Sequence, residues 1–158
     1  KEYFFAYGTL QPSSNLKYFE ENELSKYLIP LGKAQVKGVI VHLRNLKLSI
    51  DYPGMILTDE AGNHVEGTLF EVHEPEVTYK IMDAHELFTT EPSSSTLIPI
   101  DLFEKKEVIV ERQNLPPVRA STYAFNPSSK FLASGAVVKV GAVESGDWLG
   151  YIKKEQSL

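Results

Sequence analysis

Val39-Ile40-Val41-His42-Leu43 sets four apolar residues and one histidine on consecutive positions. Side chains of a strand alternate between its faces, so Val39, Val41 and Leu43 share one face and Ile40 and His42 the other. A strand apolar on both faces is covered on both, as in the wall of a barrel. This strand reads over residues 33–43. Leu46, Leu48 and Ile50 follow with a period of two and extend the β pattern.

The same reading holds further out. Tyr3–Ala6 is a short aromatic run that stops at Gly8 and reads as a buried first strand. Leu16, Phe19, Leu24, Tyr27 and Leu28 form a helical stripe, capped by Ser13 or Ser14 behind Pro12 and ended by Pro30. Tyr52-Pro53-Gly54 reads as a turn or irregular loop, and residues 55–57 as a short strand. Residues 59–63 read as a hairpin loop with 65–72 as its returning strand. Pro75 opens a second helix to about Leu87 in the favoured first-turn position. Residues 88–101, with two prolines and three serines, read as a long polar loop, a length that in compact domains marks a functional or mobile segment. Strands over 102–112 and 118–125 read as a hairpin joined by Gln113-Asn114-Leu115-Pro116-Pro117, and 137–140 as a last strand. Asp147-Trp148-Leu149-Gly150-Tyr151 closes the fold. Six or seven strands and two main helices that do not alternate regularly predict an α+β, barrel-like domain rather than a doubly wound parallel sheet.

Length and composition narrow the chemistry. A chain of 158 residues suits a single domain, 1–158, with a core of its own. With no cysteine, a disulfide scaffold, a thiolate metal site and a cysteine nucleophile are excluded. A net charge of −5 argues against nucleic acid as the partner, since phosphate binding needs a basic surface. No apolar run approaches the ~20 residues of a membrane-spanning helix, so no membrane partner is expected. The start Lys1-Glu2-Tyr3-Phe4-Phe5 is too briefly apolar for a signal peptide, and a cytoplasmic protein is the simplest expectation. His42, His64, His73 and His85 show no paired spacing on one element, so no metal is expected. Gly-x-Ser-x-Gly and Gly-x-Gly-x-x-Gly are both missing, which leaves no nucleophile elbow and no dinucleotide fingerprint. No cofactor is expected.

Two features remain that can do chemistry. Tyr7-Gly8-Thr9-Leu10 ends a strand in a Gly turn before a helix, where several N–H groups can hold an anion. Taken alone, the four residues favour an ordinary strand-to-helix turn. Met82-Asp83-Ala84-His85-Glu86 ends the second helix, with Asp83 and Glu86 on one face. A carboxylate there opposes the helix dipole, and partial burial would raise its pKa toward what a general base needs. Taken alone, each acid reads as a solvated surface residue, and His85 as a packed or surface histidine.

In order along the chain, these segments resemble the γ-glutamylcyclotransferase-like (AIG2-like) family. Phe4-Phe5-Ala6-Tyr7-Gly8-Thr9-Leu10 resembles its opening strand and loop, and Tyr52-Pro53-Gly54 its central turn. Val65-Glu66-Gly67-Thr68-Leu69-Phe70-Glu71-Val72 resembles its Val-x-Gly strand, and Met82-Asp83-x-x-Glu86 its helix end. Phe103-x-Lys105-x-x-Val108-x-Val110, Ala120-Ser121-Thr122-Tyr123 and Trp148-x-x-Tyr151 are similar to later segments. Phe103 stands where the family has Tyr, and Lys105 where it has Arg, so a planar fork is lost there.

The resemblance implies a mixed, twisted β-barrel fold and a small-molecule γ-glutamyl substrate. The substrate's α-amine would attack its own γ-carbonyl, giving 5-oxoproline and a free amine. It implies Glu86 as general base and acid, and the backbone amides of Gly8, Thr9 and Leu10 as holders of the α-carboxylate. Tyr7 and Tyr123 would supply hydroxyls or line the pocket, Tyr52 and Gly54 a wall, and Asp83 a local cap. Thr9 in place of Ser disfavours glutathione as substrate. The alternatives left open are a non-catalytic binding module of the same fold and a purely structural domain.

Overall fold

The computed structural model describes residues 1–8, 24–47, 49–60, 62–86 and 101–156, with side chains in the two longer helices described through residues 82 and 154. Its elements are β1 (Glu2–Ala6), α1 (Leu24–Tyr27), β2 (Leu28–Asn45), β3 (Ile50–Leu57), β4 (His64–Val72), α2 (Pro75–Glu86), β5 (Phe103–Arg112), β6 (Leu115–Phe125), α3 (Lys130–Ala133), β7 (Val137–Val143) and α4 (Trp148–Gln156). Strands pair in the order β2-β4-β1-β6-β5, and a β2–β5 contact at Gln35 and Glu111 closes this circuit into a five-stranded barrel. The β1–β6 pair is parallel and the others antiparallel, so the barrel is mixed. The expected α+β barrel is therefore present, with five strands in the wall and β3 and β7 outside it.

β2 makes this arrangement possible. Residues 28–37 pair with β4 inside the barrel, while 38–45 run on to pair with β3 on one edge and 40–45 with β7 on the other. Alternation along β1 then serves two cores. Phe5 lies with Val36, Ile40, Leu69, Val110 and Trp148, and Phe4 with Leu28, Phe70, Met82, Phe103 and Tyr123 beneath α2. Both phenylalanines are fully buried, a placement worth about 1.5–3 kcal/mol for each. Gly67 permits the barrel's closest approach: a Cβ there would lie 2.2 Å from the Ala6 carbonyl oxygen of β1.

Several local expectations are corrected. Leu28 and Pro30 belong to β2, so the helix ends at Tyr27; Pro30 is accommodated by an irregularity in the β2–β4 register. Leu46 and Lys47 form the β2–β3 turn, where Ser49 takes a left-handed φ of 55°, and the period of two does not extend the strand. Tyr52-Pro53-Gly54 lies inside β3, opposite Leu43, His42 and Val41. β4 is not the returning partner of β3; the two flank different halves of β2. The β5–β6 turn is only Gln113-Asn114, with Asn114 at φ 61°, and Leu115-Pro116-Pro117 already belongs to β6. The start of the first helix, Thr9, Leu10, Leu48 and residues 87–100 of the long loop lie outside the described residues.

Candidate active site

The ends of β1 and β6 and the middle of β3 converge on Tyr7. Its hydroxyl donates to the Tyr123 carbonyl at 2.5 Å and accepts the Met55 N–H at 3.1 Å. Tyr7 is 5% exposed, so both bonds are shielded from water. The next residue, Gly8, packs on β3: a Cβ at Gly8 would sit 3.0 Å from Pro53 Cγ. Gly54 is similarly confined, with Leu43 Cδ1 and Phe125 Cβ each 3.0 Å from where a Cβ would lie. Tyr7 and Gly8 thus meet β3 and the Tyr123 carbonyl at one corner, while Tyr52 and the Tyr123 ring lie in the core beneath α2 with Phe125, which flanks Gly54.

The rings of Tyr52 and Tyr123 are packed in the core. Tyr52 is buried, and burial pushes its hydroxyl above the ordinary range; a hydrogen bond with Asn45 opposes the shift and the Asp51 charge adds to it. The Tyr123 ring meets Phe4 edge-on at 5.6 Å. Lys105 Nζ lies 5.7 Å from the centre of that ring and 4.2 Å from that of Tyr79 on α2. At this position, then, Lys uses its compact charge over aromatic faces, where a planar fork is not needed. Tyr79 was not singled out from the sequence. Its place on the stripe with Thr78 and Met82 was the available signal, but nothing in the spacing shows that its ring bridges Phe4 and Lys105.

Glu86 is the last residue of α2, and Asp83 lies one turn before it. Thr78 and Met82 are fully buried, while the side chains of Asp83 and Glu86 lie outside the described residues. A separate cavity of about 700 Å³ opens elsewhere, lined by Lys33, Gln35, Glu66, Arg112 and Asp147 among others. It contains none of the residues expected at the site, and its lining mixes both signs of charge.

The sequence of the γ-glutamyl cyclotransferase, AIG2-like family matches residues 4–150, which takes in the Tyr7 corner, all of α2 and the start of α4. The chain belongs to this family. Solved structures agree on the fold. An AIG2-like protein from mouse superposes with a TM-score of 0.53 at 17% identity, over 82% of this chain and 80% of that one. An uncharacterised protein from Pyrococcus horikoshii gives 0.57 at 14% identity, over 99% and 98%. YkqA from Bacillus subtilis gives 0.59 at 18% identity over 99% of this chain, which spans only 43% of that protein. No curated protein matches the chain in sequence. Among the described residues, no helix of this family member is long and apolar enough to cross a membrane.

Proposed function

We propose that the chain is a γ-glutamylcyclotransferase acting on a γ-glutamyl amine or dipeptide. The observation that carries this reading is the Tyr7 corner, where Gly8 is pressed against the Pro53 side chain of β3 in a chain of the cyclotransferase family. The backbone amides of Gly8, Thr9 and Leu10 hold the substrate's α-carboxylate. Glu86 takes a proton from the α-ammonium, and the freed amine attacks the γ-carbonyl. The new C–N bond closes the five-membered ring, and the old amide C–N bond breaks. The ring nitrogen sheds a second proton as the lactam forms, and the leaving amine departs as an ammonium with that proton and the one that Glu86 returns.

This chemistry asks little of the protein. The nucleophile belongs to the substrate, so neither a serine, a cysteine nor a metal is required. Holding the ring-closing geometry can supply about 7–11 kcal/mol of the barrier. Tyr52 and Tyr123 line the pocket, Gly54 leaves room in its wall, Tyr7 fixes the loop through its two backbone bonds, and Asp83 caps locally.

The test is release of 5-oxoproline from a panel of γ-glutamyl amino acids and amines. Glu86→Gln should keep the wild-type circular dichroism spectrum and lower kcat by about 10²–10⁴-fold, the usual worth of a general base. Wild-type turnover in that variant would remove Glu86 from the mechanism. Binding of the panel by titration calorimetry without any 5-oxoproline would instead identify a binding module.

A further inference from the structure

His42 is 1% exposed, and both of its ring nitrogens are engaged. Nε2 lies 2.6 Å from Asp51 Oδ1 on β3, and Nδ1 lies 2.7 Å from the Tyr151 hydroxyl on α4. A carboxylate only accepts, so Nε2 donates to Asp51; a hydroxyl both donates and accepts, so Tyr151 can satisfy Nδ1 in either role. Arg44 Nε donates to the same Asp51 oxygen at 2.9 Å. The imidazole also meets the rings of Trp148 and Tyr151 edge-on, at 5.4 and 5.3 Å between centroids. One side chain of β2 therefore joins β3 and α4.

The anchoring points lie next to the candidate site. Asp51 directly precedes Tyr52, and His42 stands opposite Pro53 in the β2–β3 ladder. Pro53 is the residue against which Gly8 packs. A purely apolar side chain at 42 would fill the same space without choosing one arrangement of its neighbours. A polar chain centred on a buried histidine does choose one, because every alternative leaves a nitrogen of the buried ring unpaired.

We propose that the Tyr151–His42–Asp51 chain is a positioning device that holds β3 in place behind Gly8, and so sets how tightly the loop grips substrate. Its kinetic consequence rests on the cyclotransferase reading; its structural consequence does not. The device acts on ground state and transition state alike, because both carry the α-carboxylate that the loop holds. Its loss therefore raises KM and spares kcat.

Tyr151→Phe removes the hydroxyl and keeps the ring. Amide hydrogen exchange at Gly8, Tyr52, Gly54 and Met55 should quicken by about tenfold, the size of one hydrogen bond lost from a buried ring. KM should rise by a similar factor with kcat within about twofold. Adding Tyr151→Phe to His42→Gln should change neither readout further, since the two residues act through one chain. Faster exchange confined to residues 148–156 would reduce the chain to a helix anchor and overturn the proposal. A fall in kcat at constant KM would also overturn it. If the wild type releases no 5-oxoproline, the cyclotransferase reading falls separately, and exchange at β3 and Gly8 alone decides whether the device exists.

Discussion

The Tyr7 hydroxyl accepts the Met55 N–H and donates to the Tyr123 carbonyl, so a single oxygen serves backbone groups of two strands that are not neighbours in the sheet. Tyr7→Phe keeps the ring and deletes that oxygen. The Met55 N–H is then left in a buried setting, and an orphaned donor of this kind costs about 1–3 kcal/mol. The expected outcome is a lower urea midpoint at an unchanged slope, with a wild-type circular dichroism spectrum. An unchanged midpoint would mean that water or another group replaces the hydroxyl. Residue identity here was legible early, since Tyr7 and Gly8 stood out at the end of an apolar strand. The role of the hydroxyl was not, because both of its partners are backbone groups 48 and 116 positions away. Gly67 is a similar case. The Val-x-Gly pattern marks it, yet its reason is the Ala6 carbonyl across the β1–β4 ladder.

At the scale of elements, β3 departs furthest from its sequence reading. Tyr52-Pro53-Gly54 carries turn-forming residues, yet all three lie in a strand. β3 ends the strand order, and an edge strand tolerates proline because its missing N–H need not join a second ladder. Gly54 is chosen by crowding from Leu43 and Phe125, not by a bend. The long apolar strand β2 and the helix opened by Pro75 were legible because their periods are local properties. The hairpin partners were not, since pairing is settled by which half of β2 each strand meets. Asp51 ties β3 to β2, and this gives a pH signature. Burial pushes its carboxyl up, but hydrogen bonds from His42 and Arg44 outweigh that and hold it below the usual aspartate range. The folded pKa is thus below the unfolded value of about 3.9. The stabilisation is complete above that value and lost as pH falls through the folded pKa. Asp51→Asn should lower Tm at pH 6, and the gap to wild type should narrow on acidification below about pH 4. A gap that stays constant from pH 6 to pH 3 would show that the charge on Asp51 contributes nothing.

Over the whole molecule, β2 makes two cores into one folding unit. Leu28 and Leu43 belong to the core beneath α2, while Val36 and Ile40 belong to the barrel interior. Losing β2 from either core strips the other. The C-terminal helix is bound into the same unit through Trp148, which is 2% exposed and packs in the cluster that holds Phe5, Leu69 and Val110. A short helix late in a chain would ordinarily fray at low cost. Here its undocking exposes the barrel interior and breaks the contacts around His42. Trp148 is the chain's single tryptophan, so its fluorescence reports on this docking alone. The expected outcome is one cooperative transition in urea, with tryptophan fluorescence and far-ultraviolet circular dichroism superimposing at the same midpoint. A fluorescence change that precedes the loss of β signal would show α4 to be an independent unit resting on a barrel that stands without it. Coincidence in the wild type, with separation of the two curves in Tyr151→Phe, would place the coupling in the hydrogen bond to His42 rather than in the stacked rings, because that variant retains every ring.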